Sequence, residues 1–264
     1  MKIAVIGTGN LGYSIAMGIL SQENFKVKNL YLTKRNLDSL KNWGKLPNVK
    51  ISTDNKKAVR FSDIVIIAVQ PKQLLGVLEE IKGTLNAKRH TVISVVTGRK
   101  INEIEEVIGS DFAVIRSMPN TAISVGQSMT CLSGNEKGME NAEIAKSIFN
   151  SVGETMCIDE KLMQAATVIC ASGIAFWMRL IRATTQGAVQ LGFDAEEAQE
   201  LSMQTALGAA SLLIKSRSHP EQEIDKVTTP SGCTIEGLNE MEHQGLSSSL
   251  IKGLVTSFEK INQI

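Results

Sequence analysis

The chain has 264 residues, with 28 Lys and Arg against 27 Asp and Glu for a formal net charge of +1, and only 4% of its residues are aromatic. So balanced a charge offers no electrostatic footprint for a polyanion, and so few aromatics no base-stacking surface, which together argue against a nucleic-acid partner. The length suits one large domain or two ordinary ones with a real core, the N-terminus lacks the pattern of a signal peptide, and no apolar run is read as reaching the ~18 residues of a membrane helix, so no membrane partner is expected.

In chain order, residues 3–6 are β-branched or small and apolar, as a buried parallel strand requires. Gly7-x-Gly9-Asn10-Leu11-Gly12 follows at once, then a helical run over 11–20 with apolar residues at Leu11, Ile15, Ala16 and Ile19. Between strand and helix these glycines read as a dinucleotide-binding turn. Gly7 permits the sharp bend, Gly9 leaves the backbone open to a pyrophosphate, Gly12 lets the helix pack close to the strand, and the helix N-terminus offers free N–H groups to phosphate. A second strand is predicted over 27–32. An NAD site places an acid about 20 residues past the glycines to bind the ribose 2′-hydroxyl. This chain has Thr33-Lys34-Arg35-Asn36 there instead. A hydroxyl, two cations and an amide suit a 2′-phosphate, so NADP is the expected cofactor, with NADPH preferred over NADH.

Residues 37–43 are expected to form a short helix and 49–52 a strand, after which Asp54-Asn55 caps a helical turn. A central buried strand over 63–69 runs into Gln70-Pro71-Lys72, with Pro71 in the first turn of a helix ending near Ile81. Strands over 91–96 and 112–116, a helix over 102–108, a strand-like stretch over 124–132, a helix over 136–150 and a strand over 154–158 continue the alternation. The predicted fold class is α/β, with a Rossmann-type doubly wound sheet over residues 1–159 that has room for reversed edge strands. Ligands in such sheets sit at the carboxyl ends of the strands, so the turns after Ile6, Leu32, Val69, Val96 and Arg116 should face one crevice.

Beyond Asp159 no strand pattern remains, and residues 160–264 read as an all-helical second domain. It has a nearly continuous helix over 161–191, interrupted at Ala171-Ser172-Gly173 and stopped at Gly192. A helix capped by Asp194 runs to about Lys215. A loop with His219-Pro220 comes next, then a helix ending near His243 whose start reads as a Thr229-Pro230 cap, and a last helix over 246–261. The break at Ser172-Gly173 admits either a ligand or a close helix neighbour. Broad Ala/Leu faces predict pairing with a second copy, a homodimer at least. Four widely spaced cysteines, Cys131, Cys157, Cys170 and Cys233, make no C-x-x-C and no zinc pattern with a nearby histidine. Reduced thiols, a cytoplasmic protein and no metal follow as expectations.

Taken together these pieces resemble the pyrroline-5-carboxylate reductase family over the whole chain. The residues that carry the resemblance are the glycine turn, Ala68-Val69-Gln70-Pro71, Arg116-x-Met118-Pro119-Asn120-Thr121, Ala171-Ser172-Gly173, the run from Gln204 to Ala210, His219-Pro220, and Val227-Thr228-Thr229-Pro230-x-Gly232-x-Thr234. Family members usually have Lys where Gln70 stands, Pro and Tyr where Ile174 and Phe176 stand, and Gly where Ser231 stands.

The resemblance implies hydride transfer from NAD(P)H to the C=N carbon of a five-membered cyclic imine carboxylate, giving L-proline. A cyclic imine is partly protonated near neutral pH and the iminium already accepts hydride well, so no strong protein acid is needed. Accordingly His90, His219 and His243 stand in no catalytic context. By resemblance, the Thr234 hydroxyl lies near the imine nitrogen, and the loop of Thr229, Ser231, Gly232 and Cys233, at a helix start, holds the substrate carboxylate on backbone N–H groups. Ser172 and Gly173 are the other substrate candidates. Met118, Pro119, Asn120 and Thr121 are placed by the nicotinamide, with Asn120 also by the substrate. Ala68, Val69, Gln70 and Pro71 line the cofactor beside the glycine turn, and Asn55 reaches the adenosine ribose. Cys170 and Cys233 read as small fillers rather than nucleophiles. Two alternatives compete. A β-hydroxyacid dehydrogenase would need a catalytic lysine on the interdomain helix, where none follows Lys161. A non-catalytic dinucleotide-binding paralogue is motivated by Gln70, Ile174 and Ser231.

Overall fold

The structure is a computed structural model that describes residues 1–21 and 29–262. Two predicted strand residues, 27 and 28, lie outside the described residues. The chain divides into two compact units, the first formed mainly by Met1–Ser172 and the second by Gly173–Lys260.

The first unit holds one eight-stranded sheet of β1 (Lys2–Ile6), β2 (Asn29–Thr33), β3 (Val49–Ser52), β4 (Ile64–Ile67), β5 (Thr91–Ser94), β6 (Ala113–Met118), β7 (Ser128–Gly134) and β8 (Gly153–Cys157), in the order β3-β2-β1-β4-β5-β6-β7-β8. Every neighbouring pair is parallel except β6–β7. The chain returns across the sheet between β1 and β4, and ligands of doubly wound sheets bind at that switch point. Helices α1 (Asn10–Ser21), α2 (Asn55–Arg60), α3 (Leu74–Ile81), α4 (Ile101–Ile108), α5 (Glu136–Glu140) and α6 (Ala142–Phe149) flank the strands, and the short α7 (Met163–Ala166) follows β8. Ile3, Val5 and Ile66 join Ile15 and Ile19 of α1 and Ile148 and Phe149 of α6 in one core cluster. Ile6, Val65 and Ile67 join Leu74, Leu78 and Ile81 of α3 and Ile104 of α4 in another. With both faces covered, the central strands must be apolar at every position, which is why they read as continuous hydrophobic runs.

Several predicted elements take another form. Residues 37–43 make no α-helix; two 3₁₀ turns, Asp38–Leu40 and Trp43–Lys45, stand there. Their three-residue period turns both Leu40 and Trp43 into the core, where Trp43 lies 4.6 Å ring to ring from Tyr13 of α1. The strand-like stretch 124–132 is a strand only from Ser128. Before it, Asn120 caps a 3₁₀ turn, Thr121–Val125, which stops at Gly126 with φ 71°. The helix predicted over 136–150 is split at Asn141 into α5 and α6. Gly138 of α5 lies against the Val114 carbonyl, and any Cβ there would collide with it.

The second unit is five helices, α8 (Gly173–Gln190), α9 (Ala195–Ser216), α10 (Pro220–Val227), α11 (Cys233–His243) and α12 (Leu246–Ile261). Asp194 caps α9 as expected, accepting from Glu196 and Glu197 N–H at 2.9 Å each. His219-Pro220 is no loop. His219 Nδ1 accepts from Glu221 N–H and Pro220 opens α10, so a ring nitrogen does the work of a capping oxygen. Thr229-Pro230 does not start the next helix either, because Gly232 is the N-cap of α11. The break predicted at 171–173 is a π-helical turn, Thr167–Ser172. The stretch Glu160–Gln190 is, against expectation, long and apolar enough to cross a membrane by length and composition alone. Its alternation of Ala, Ile, Met and Phe with Thr, Ser and Arg hid this from a search for unbroken apolar runs. Large apolar side chains stand exposed on these helices, among them Trp177 at 67% and Ile214 at 75%.

Two backbone and burial features generate tests. Ser231 has φ +57°, a left-handed conformation that costs an L-residue about 1–2 kcal/mol and glycine little. Ser231→Gly is therefore expected to raise stability by about 0.5–1 kcal/mol once glycine's greater unfolded-state entropy is subtracted, read as an increase in the urea midpoint. His90 is buried, and its Nδ1 accepts the Asn86 N–H at 2.8 Å. Burial, then the neighbouring Arg89 charge, lowers its pKa. The unfolded chain therefore takes up this proton first, so stability is complete above about pH 6.5 and declines as pH falls toward the lower folded value. His90→Asn keeps an acceptor without titrating, and its unfolding free energy should fall less steeply than that of the parent between pH 7 and 5. Parallel slopes in urea titrations would exclude His90 as the cause.

Candidate active site

The glycine turn is shaped by one carbonyl. Thr33 O, at the end of β2, accepts Gly7 N–H at 3.1 Å, Thr8 N–H at 2.8 Å and the Thr8 hydroxyl at 3.1 Å. Gly7 has φ +88°, and a Cβ on it would lie 2.7 Å from the Ala68 carbonyl. Gly12 is equally closed, since its Cβ would lie 2.6 Å from the Gly7 carbonyl. At Gly9 there is nothing within 4 Å of that position, so the backbone there faces open space. Just beyond it α1 begins with no acidic residue in its first turn. Its free N–H groups thus present an uncompensated positive end, the arrangement that favours a phosphate.

A cleft of about 450 Å³ opens beside this turn, and most of the expected cofactor residues border it. Gly7 and Gly9 form one wall, Thr33, Lys34 and Arg35 the second, and Asn55, Ala68, Val69 and Gln70 the third. Asn55 is held at both ends of its amide, with Oδ1 accepting from the Thr33 hydroxyl at 2.7 Å and Nδ2 donating to Glu80 at 3.0 Å. Lys34 Nζ donates to Ser39 at 2.9 Å, and Arg35 is exposed. The nearest following acid, Asp38, is drawn onto Lys41, whose hydrogen bond, with one from Asn36, lowers the Asp38 pKa. The ribbon after β2 therefore presents cations and no free carboxylate to the cleft. Asn10, Leu11, Gly12 and Pro71 do not line it. Leu11 packs on the core, and Pro71 opens the 3₁₀ turn Pro71–Gln73 that leads into α3.

The structure does not bring Met118, Pro119, Asn120 and Thr121 to this cleft; Met118 ends β6 and the other three follow it, elsewhere along the same carboxyl edge. Met118 packs on Cys131 and Met163. The Asn120 side chain is engaged within the protein, with Oδ1 accepting from Ala122 N–H at 2.9 Å and Nδ2 donating to the Cys170 carbonyl at 3.0 Å. Cys170 packs against the same cluster, and the neighbouring Cys131 thiol brings Cys170 down to about 7 while Cys131 is pushed up. Cys170 thus packs as a small side chain beside a second thiol. Sequence spacing gave no sign of this pair, nor of the ion pair between Arg116 and Glu160, because both join residues about 40 apart in the chain.

In the second unit, Thr234 lies in the first turn of α11 and borders an apolar cavity of about 370 Å³ with Leu212, Leu213, Ile224 and Val227. Gly232 N–H donates to the Thr229 carbonyl at 2.9 Å, and a Cβ on Gly232 would lie 3.0 Å from that oxygen. No side chain caps α11. Its leading N–H groups, which begin at exposed Cys233, are left for a ligand or solvent. Ser172 ends the π-turn and Gly173, buried, begins α8. Among the described residues no group of three or more His, Cys, Asp or Glu is placed to hold a metal.

Comparison with known proteins fits this geometry. Residues 160–264 match the family model for pyrroline-5-carboxylate reductase dimerisation, and residues 2–98 match that for NADP oxidoreductase, coenzyme F420-dependent. The chain is similar to pyrroline-5-carboxylate reductase 1 of Dictyostelium discoideum, at 46% identity over 98% of the chain, and spans about half (49%) of that relative's length. It is similar to the solved pyrroline-5-carboxylate reductase of Coxiella burnetii, with TM-score 0.93, 30% identity, and 99% and 97% of the two chains covered. The Plasmodium falciparum pyrroline carboxylate reductase solved with NADP bound gives TM-score 0.85 and 27% identity, over 99% and 97%. The chain belongs to the pyrroline-5-carboxylate reductase family and is an oxidoreductase that acts on a C=N bond.

Proposed function

We propose that this chain reduces 1-pyrroline-5-carboxylate to L-proline with NADPH in preference to NADH, as a cytoplasmic homo-oligomer whose cofactor and substrate domains divide at residue 159/160. The observation that carries the cofactor reading is the cleft bordered by Gly9, Thr33, Lys34 and Arg35 with no free acid beside them. Open space at Gly9 is the cradle a diphosphate requires, and the N-terminus of α1 points positive charge at it. Arg35 and Lys34 bind the 2′-phosphate, Asn55 faces the adenosine ribose, and Ala68, Val69, Gln70 and Pro71 flank the dinucleotide. Met118, Pro119, Asn120 and Thr121 form the turn on the nicotinamide side. The bound cofactor supplies the hydride.

The protein's own part is to hold the imine and favour its protonated form. The leading N–H groups of α11, framed by Thr229, Ser231, Gly232 and Cys233, take the substrate carboxylate by dipole rather than by a full cation. That choice leaves the neighbouring iminium without a repelling charge. The Thr234 hydroxyl accepts the iminium N–H and so orients the ring for attack at carbon. Ser172 and Gly173 border the same substrate. The apolar surfaces of Trp177, Ile214 and their neighbours are what a second copy covers in the homo-oligomer.

The direct test is oxidation of NADPH and of NADH by the purified protein with pyrroline-5-carboxylate, with proline assayed as product. Turnover is expected with both and should be faster with NADPH. Equal turnover with the two would remove the 2′-phosphate role of Arg35. Arg35→Ala should raise the Kd of NADPH by about tenfold or more and that of NADH by less than about twofold, on the scale of a lost charge-assisted hydrogen bond. Thr234→Ala should lower kcat/KM for the imine by about tenfold to a hundredfold at unchanged Tm. Unaltered steady-state kinetics in that variant would take Thr234 out of the mechanism.

A further inference from the structure

Arg116 is a cation in the core of the first unit. It stands on β6 two residues before Met118 and is 3% exposed. Its Nη1 donates to Glu160 Oε1 at 2.8 Å. That same oxygen accepts the N–H of Ile101, the first residue of α4, also at 2.8 Å. One carboxylate oxygen thus joins three pieces of chain, the head of α4, the end of β6 and the segment that leaves the sheet after β8. A second fastening lies further along both partners, where Asn120 Nδ2 donates to the Cys170 carbonyl at 3.0 Å. Cys170 sits in the π-turn Thr167–Ser172, and the wider π ladder gives a side-chain donor access to a carbonyl. Between them the two fastenings run the 160–170 segment along the edge where the Met118-Pro119-Asn120-Thr121 turn leaves β6.

Neither Arg116 nor Glu160 borders the cofactor cleft. Arg116 is buried while the Glu160 side chain keeps 31% exposure, and a pair whose arginine has left water is poor value as a stabilising device, because an apolar pair of similar volume often does as well or better. Its directional bonds do fix geometry. We propose that Arg116 and Glu160 are positioning residues for imine reduction, a clamp that holds the Met118–Thr121 turn and the π-turn leading to Ser172 in one mutual geometry. The inference rests on the reading above, which gives these turns to nicotinamide and substrate.

The test separates positioning from stability. Glu160→Leu alone strands the Arg116 charge and should lower Tm. Arg116→Met/Glu160→Gln removes both charges and keeps an acceptor for the Ile101 N–H, and its Tm should return close to that of the parent. In that double variant, NADPH Kd should change far less than kcat/KM, because the cleft that holds phosphates and adenosine is untouched and only the turn on the nicotinamide side is released, while kcat/KM for the imine stays at least about tenfold down. Recovery of kcat/KM together with Tm would make the pair structural only and overturn the clamp. A matching loss of NADPH affinity would overturn it as well. Should the double variant fail to fold, Arg116→Lys keeps the charge but not the guanidinium geometry. A fivefold or greater loss in kcat/KM at unchanged Tm and NADPH Kd supports the clamp, and unchanged kcat/KM overturns it. Parent protein that does not turn over the imine overturns the underlying reading and the clamp with it; with an active parent, the variants decide the clamp alone.

Discussion

The first unit depends on the single backbone oxygen of Thr33. Three donors converge on it, two of them successive N–H groups of the glycine turn, and this convergence ties the end of β2 to the exit of β1. The Thr33 hydroxyl reaches the other way, to Asn55 at the head of α2. Loosening that residue would free the turn, the cationic ribbon and the far wall of the cleft together. The tightness also explains where glycine is indispensable. Gly7 and Gly12 are closed in by backbone, whereas Gly9 faces space, so two of the three glycines serve the fold and the third leaves its backbone clear.

Both proposed anion sites use the same economy of charge. One is the start of α1, whose first turn holds no acid, and the other the uncapped start of α11. Each presents backbone N–H groups where a lysine or arginine would also have served. For a phosphate flanked by Lys34 and Arg35 the dipole supplements full cations. For a carboxylate carried by an iminium it replaces them, since a fixed cation there would oppose the protonated form that accepts hydride.

Much of this was legible because it is local chemistry. Gly7-x-Gly9-x-x-Gly12 between an apolar run and a helical pattern, Asp54 and Asp194 before helices, and the cationic stretch after β2 each carry their meaning within a few residues. The misread segments are those whose form is set from outside. Residues 37–45 turn in 3₁₀ steps because Leu40 and Trp43 must both reach a core built mostly by other elements. His219 caps α10 with a ring nitrogen, which propensity rules for oxygen caps do not anticipate. The π-turn at Thr167–Ser172 registered only as an interruption. Asn120 was legible as important, but its partner on Cys170 was not, because a hydrogen bond over 50 residues leaves no trace in spacing.

The chain has two tryptophans, and the fold places them in opposite circumstances. Trp43 is packed beneath α1 with Tyr13 against its ring, in the nucleotide-binding unit, while Trp177 stands two-thirds exposed on α8 in the helical one. The intrinsic fluorescence of the protein is therefore already resolved into two reporters. Emission from the indole of Trp43 is expected to be blue-shifted, shielded from aqueous quenchers, and responsive to the integrity of the sheet. Emission from Trp177 is expected to be red-shifted and open to iodide in a lone chain, and to lose both properties when a second copy comes to rest on α8. Neither unit needs an added label to be watched on its own.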